Sequence, residues 1–248
     1  MDSGKKFATI QSYVSAIAFA HKIRGLPDPT STYLAKRFMT GLRKSLGLSI
    51  QLNPITLPML AELIGLSRNL PTTRYIKHLI ASVMSLMYHG CLRISEIASS
   101  GSADHMLRSD QVQFSFRIPN LKPSSVTITL LSFKHSKAPQ KIQILPATDV
   151  TFCPVALLWK FNCLKPNSTY FFCDEMGSPI TRNFFVSWLR HLINQSTFKG
   201  KKLNTHSFRI GRTTDLVMEK GASDAYIRQV GRWSSNAYLK YIRPTLIL

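Results

Sequence analysis

Residues 111–118 read QVQFSFRI, residues 125–133 read SVTITLLSF, and residues 141–145 read KIQIL. Apolar residues alternate with polar ones or run in β-branched and aromatic types, which is the pattern of strands. Polar turns separate the three stretches. They predict a small antiparallel sheet inserted between helices, because the chain on either side changes to helical period. The fold class expected is α+β, mainly helical.

Downstream of the sheet the spacing predicts helices over 154–163, 181–196, 206–220 and 223–231, with a last short helix near 236–242. Upstream, residues 72–89 form a strongly apolar helix that ends at Gly90, and Cys91–Ala98 opens another with Arg93 near its start. A further helix follows Pro58, with Met59, Leu60, Leu63 and Ile64 apolar. Before it, LGLSIQLNPITLP (46–58) has two prolines and no helical period, so it reads as a linker. Residues 9–24 predict a helix capped by Thr9 and stopped by Gly25, followed by a Pro27-Asp28-Pro29 turn. Thr30 or Ser31 can cap a second helix that carries Tyr33, Leu34, Phe38 and Leu42. Two helices alone bury little core. The division expected is a small helical module over 1–48, a linker over 49–58 and one large domain over 59–248.

Of the 248 residues, 44% are hydrophobic and 18% charged, the balance of a globular chain. Lys and Arg number 32 against 12 Asp and Glu, a net charge of +20. That much self-repulsion calls for a polyanion, and nucleic acid fits because each neutralised phosphate releases counterions. Cys91, Cys153, Cys163 and Cys173 form no CxxC pair, so zinc is not expected and the thiols read as reduced. No stretch of 18 or more apolar residues suggests a membrane span, and no signal peptide opens the chain. A soluble, intracellular protein is expected.

Cutting a phosphodiester with a protein nucleophile needs a hydroxyl, cations on the non-bridging oxygens and an acid for the leaving oxygen. Arginine suits the second role because its planar fork donates two hydrogen bonds to phosphate. Four segments supply these parts. Gly90-Cys91-Leu92-Arg93-Ile94-Ser95-Glu96 sets an arginine near a helix start, with Glu96 placed to hold it. Ser132-Phe133-Lys134-His135-Ser136-Lys137 puts lysines in the hairpin turn. Thr205-His206-Ser207-Phe208-Arg209 places His206 and Arg209 one helical turn apart, with Thr205 as a cap and Phe208 and Ile210 toward the core. Gly231-Arg232-Trp233 leads to a short helix with Tyr238 and Tyr241. Each segment alone is also what ordinary packing or a solvated surface produces.

Taken in order, the four segments resemble the tyrosine recombinase (phage integrase) family from about residue 55 to 243, and the helices before them resemble part of its core-binding domain. Tyr241 lies 35 residues after His206 and 10 after Gly231, as in that family, which favours it over Tyr238. The phrases SAIAFAHKIRGLPDPT (15–30) and GRWSSNAYLKYIRP (231–244) look most like recombinases of eukaryotic mobile elements of the DIRS, Ngaro or Crypton sort. The resemblance implies that Arg93 and Arg209 clamp the scissile phosphate and that Lys137, rather than Lys134, is the general acid. It implies that His206 assists proton transfer and that Tyr241 forms a 3′-phosphotyrosyl link. The remaining position is Trp233 by residue type or Arg232 by counting from Gly231, with Trp233 preferred.

No metal and no cofactor is implied. The partners would be double-stranded DNA and three further copies of the chain, a homotetramer on two sites, in the nucleus of a eukaryote or otherwise in the cytoplasm. Two departures accompany the likeness: only about two helices precede the large domain, and seven residues follow Tyr241. Other readings are a DNA-binding derivative with impaired cleavage and a type IB topoisomerase-like enzyme.

Overall fold

The computed structural model describes residues 5–46, 51–99, 101, 106–118, 122–131, 138–149, 151–218 and 222–243. The chain divides into two compact units, residues 1–51 and 52–248.

The first unit holds α1 (Phe7–Lys22) and α2 (Tyr33–Ser45), joined through a short 3-10 turn at Pro29–Ser31. Thr32, not Thr30 or Ser31, caps α2 by accepting the Ala35 N–H at 3.3 Å. Neither helix has a buried residue. Phe19, Leu34 and Phe38 are among the large apolar side chains left exposed.

The second unit is built around α4 (Arg74–His89), in which eleven of sixteen residues are buried. Such a helix, apolar almost all round, belongs at the centre of a core. Thr73 caps it by accepting the Ile76 N–H. It packs against α3 (Leu57–Ser67), α5 (Pro154–Leu164) and α7 (His206–Met218). The unit is completed by α6 (Arg182–Gln195), α8 (Asp224–Gly231) and a 3-10 helix at Asn236–Tyr241.

The expected sheet is present. β1 (Val112–Ser115), β2 (Ser125–Leu130) and β3 (Gln140–Ile144) form an antiparallel sheet in that order. The register pairs Val112 with Ile128 and Val126 with Ile144. Val126, Ile128 and Leu130 share the core face of the central strand, the two-residue period read from the sequence.

Two expectations change. The linker expected over 49–58 is not a free connection in its second half: Leu52 onward belongs to the large unit, and Ile55 is fully buried. Its N–H donates to the Ser207 carbonyl at 3.0 Å. This approach needs a glycine on α7, since a Cβ on Gly211 would lie 1.8 Å from the Ile55 carbonyl oxygen. The helix expected over Cys91–Ala98 is a single 3-10 turn, Ile94–Glu96.

Candidate active site

The floor of the site is the end of α4. Beyond Gly90, the Cys91 N–H bonds the Tyr88 carbonyl and the Leu92 N–H bonds the Met87 carbonyl, both at 3.1 Å. These two bonds close a helix through a left-handed residue. That residue is Cys91, with φ 50°, where glycine is usual. The turn presents the Gly90 and Cys91 carbonyls, with the negative end of the helix dipole behind them.

Two guanidinium groups gather there. Arg209 of α7 is fully buried, donating from Nη1 to the Cys91 carbonyl at 2.7 Å and from Nη2 to the Gly231 carbonyl. Arg232 donates from Nη1 to Gly90 and from Nη2 to Cys91, both at 3.1 Å. Its backbone is left-handed, φ 57° and ψ 48°, at the C-terminus of α8, and this turns its side chain inward.

Glu96 ties the cluster together. Its Oε2 accepts from Arg232 Nη2 and from the Arg93 N–H, each at 2.8 Å, and Oε1 accepts from Arg93 Nη1 at 3.2 Å. Burial lowers the pKa of Arg232, and the Glu96 carboxylate works against that shift. Arg93, Arg209 and Arg232 against one Glu96 leave an excess of two positive charges on these four side chains. Such a cluster is suited to an anion.

The rings lie over this floor. The Trp233 ring is 4.4 Å and the Tyr241 ring 5.6 Å from the Arg209 guanidinium carbon. Tyr241 also faces His206, with ring centroids 5.0 Å apart, and Trp233 at 5.2 Å. Burial, then Arg209, then Arg93 push the His206 pKa down, favouring the neutral imidazole. The helix of His206 begins on Asn204, whose Oδ1 accepts the His206 N–H at 2.7 Å; the expected Thr205 cap is not the one formed. A cavity of about 900 Å³ opens beside the rings, lined by Arg93, Arg228, Arg232, Trp233 and Tyr241. Gln140, at the start of β3, reaches across it to the Gln229 carbonyl at 3.3 Å.

The structure therefore brings together Arg93, His206, Arg209, Trp233 and Tyr241, five of the six residues singled out above. Lys137, with its alternative Lys134, lies outside the described residues. Arg93 is the N-cap residue of a single 3-10 turn and not of an α-helix, too short to add a helix dipole of any size. Its side chain, 20% exposed, is on the cavity, whereas Arg209 lies beneath the aromatic rings. Tyr238 is buried with Leu216 and Ile227, behind Trp233 and not itself on the cavity lining. Arg228 on the cavity wall was not singled out, since nothing in its sequence context separates it from a solvated helix arginine. The Gly90 and Cys91 carbonyls left no trace in the sequence either. Among the described residues no group of three His, Cys, Asp or Glu is placed to hold a metal ion, and no helix is long and apolar enough to cross a membrane.

No family model matches the chain, and no curated protein sequence matches it. Solved structures do share its fold. XerH site-specific recombinase bound to palindromic difH substrate, in a post-cleavage complex, aligns over 97% of this chain with a TM-score of 0.60 and 15% identity. The chain spans 65% of that protein's length. A single-substitution variant of residues 82–397 of Tn1549 transposon integrase, in complex with a circular intermediate DNA, aligns over 98% of this chain and 77% of that fragment, with a TM-score of 0.65 and 13% identity. A lambda integrase dimer bound to a COC′ core site aligns over 98% of this chain and 61% of its own, with a TM-score of 0.62 and 12% identity. The mainly helical unit with its three-stranded antiparallel sheet has the fold of the tyrosine recombinase catalytic domain.

Proposed function

We propose that this chain cleaves and rejoins DNA through a covalent 3′-phosphotyrosyl intermediate, with Tyr241 as the nucleophile. One observation carries the reading. Tyr241 meets His206 and Trp233 above the Arg209 guanidinium, at the rim of a cavity that also presents Arg93. These groups come from segments far apart in sequence.

In this reading the phosphodiester sits in the cavity with a non-bridging oxygen on Arg93. The arginine excess stabilises the charge that develops as the Tyr241 oxygen attacks phosphorus. The bond to the 5′-oxygen breaks, and a lysine of the 132–137 segment, Lys137 by resemblance, supplies its proton. Neutral His206 accepts or relays the phenol proton. The ester keeps the bond energy, and a 5′-hydroxyl from a partner strand reverses the step. The net charge of +20 draws the chain to DNA. No metal or nucleotide cofactor enters this chemistry. Exchange between two sites would take four protomers. Kinship with DIRS, Ngaro or Crypton recombinases, and with it work in a nucleus, rests on the phrases at 15–30 and 231–244 alone.

A second reading is a DNA-binding protein with impaired cleavage. It is favoured by the burial of Arg209, which holds two backbone carbonyls and lies under two rings. Direct contact between Arg209 and a phosphate requires Trp233 and Tyr241 to move aside. A nicked suicide duplex separates the readings. The first expects covalent trapping by the native protein and none by Tyr241→Phe. Binding without trapping supports the second, and trapping that survives Tyr241→Phe but is lost in Tyr238→Phe overturns the nucleophile.

A further inference from the structure

Thr214 is fully buried on α7, two turns beyond His206. Its hydroxyl donates to the Ile210 carbonyl one turn back at 2.8 Å, an ordinary bond for a threonine inside a helix. The rest of its environment is not ordinary. The same oxygen accepts the Arg243 N–H at 3.1 Å and lies 3.3 Å from the Tyr241 carbonyl oxygen. A hydroxyl carries one proton and two lone pairs. Bonding to Ile210 therefore leaves a lone pair for the Arg243 amide, and the Tyr241 carbonyl is a second acceptor for the same proton. Neighbouring Thr213 lacks this arrangement; its hydroxyl donates to the Arg209 carbonyl at 2.6 Å.

The consequence concerns Tyr241. The Asn236–Tyr241 helix is a run of 3-10 turns with poorer hydrogen bonds than an α-helix. Tyr238 anchors its middle in the small cluster with Leu216 and Ile227. Past Tyr241 the chain turns extended at Ile242. Thr214 meets the backbone there, at the Tyr241 carbonyl and at the amide two residues on. It does so from the helix that carries His206 and Arg209, about 12 Å along that rod from His206.

We propose that Thr214 is a positioning residue for Tyr241, a buried hydroxyl that locks the tyrosine's backbone to the helix bearing His206 and Arg209. The inference rests on Tyr241 being the nucleophile. Its effect is on the attack and not on DNA binding, because Thr214 is fully buried and does not line the cavity. A loosened nucleophile loses rate steeply, since a displacement near 1 Å costs on the order of a hundred-fold.

The test compares Thr214→Val, Thr214→Ser and Thr213→Val in the full chain. Two quantities are read: the single-turnover rate of covalent complex formation on a nicked duplex, and amide hydrogen exchange of peptides covering 239–243. Thr214→Val should lower the rate by roughly ten- to a hundred-fold, with duplex affinity within about two-fold of native, and should speed exchange in those peptides. Thr214→Ser restores the hydroxyl and should recover both. Thr213→Val loses the back-bond to the Arg209 carbonyl and the 3.9 Å contact with Cys91 Sγ without touching the Tyr241 segment, and should keep exchange in those peptides near native. A native rate and native exchange in Thr214→Val would overturn the proposal, as would equally faster exchange in Thr213→Val or no recovery with serine. If the native protein forms no covalent complex, the proposed function fails and exchange alone judges the lock. Faster exchange in Thr214→Val only, recovered by serine, upholds it; unchanged exchange overturns it.

Discussion

Replacing Glu96 by glutamine removes one negative charge and almost no volume, and the structure sets the size of the effect. The Arg232 side chain is 0% exposed and that of Glu96 is 3%, with Nη2 and Oε2 2.8 Å apart. A pair so enclosed differs from Lys22 and Asp28, 3.7 Å apart with the lysine 69% exposed, where water screens the attraction. Removing one member of a buried pair strands the other charge, at about 3–5 kcal/mol. Glutamine retains one acceptor oxygen. In the better of its two orientations that oxygen stays at the Oε2 position, and the new amide N–H₂ opposes Arg93 Nη1. Glu96→Gln should therefore fall near the lower end, about 3 kcal/mol, or a drop in Tm of roughly 6–12 °C for a domain of this size.

Arg232→Met removes the buried cation instead. The left-handed backbone at 232 disfavours both side chains alike, so that contribution cancels. The Cys91 carbonyl keeps its bond from Arg209. A cost of about 1–3 kcal/mol is expected for the lost bonds to Gly90 and Glu96, because the Glu96 carboxylate keeps the Arg93 amide and guanidinium as partners. With Arg232 absent, Glu96→Gln no longer exposes a buried charge, so the double variant should fall short of additivity by about 1–3 kcal/mol. Urea denaturation of the four proteins measures the cycle. Additivity within about 0.5 kcal/mol would refute the view that Glu96 is the counter-charge of Arg232.

Gly211→Ala forces a methyl group to within 1.8 Å of the Ile55 carbonyl oxygen, a backbone atom that cannot rotate away. A loss of at least about 1–3 kcal/mol by denaturation is expected, and a change under 0.5 kcal/mol would show that residues 52–56 are not held against α7 as described. His89, largely buried and stacked on Phe152, has its pKa pushed from 6.5 down to about 4, chiefly by burial. The unfolded chain then binds the extra proton first, so the stability is present in full above pH 6.5 and is lost as pH falls from there toward about 4. The loss is on the order of 3 kcal/mol. Tm followed across that window should fall more steeply for the native chain than for His89→Phe; parallel curves would remove His89 as the cause.

The sequence was legible where one period or one spacing carried the information. The alternation in SVTITLLSF became the core face of β2, and the apolar run over 72–89 became the central helix. Only the spacing of the family it resembles set Tyr241 apart from Tyr238; the structure gives the two tyrosines different surroundings, one on the cavity and one in a packed cluster. Where the reading failed, the decisive contact was non-local. Two prolines and no period made 46–58 a linker, because nothing local says that the Ile55 backbone lies against a glycine 156 positions later. Cys91 and Arg232 mark the other failure. Both adopt the left-handed conformation that usually announces itself as glycine.

That hidden backbone geometry bears directly on the choice between Arg232 and Trp233. Counting from Gly231 sends Arg232 toward the phosphate, as if the chain left α8 with ordinary dihedrals. Its φ of 57° instead turns the guanidinium down onto Glu96 and the carbonyls ending α4, and the next residue, Trp233, is the one whose ring meets Tyr241. Gly231 permits this, since a Cβ there would strike the Trp233 ring at 1.7 Å. Glycine, arginine and tryptophan therefore act as one device: the first makes room for the ring, the second locks the turn from below, and the third faces Tyr241. Arg232 bonds Glu96 beneath the turn from which Trp233 meets Tyr241, and the cycle on Glu96 and Arg232 measures how firmly that turn is held.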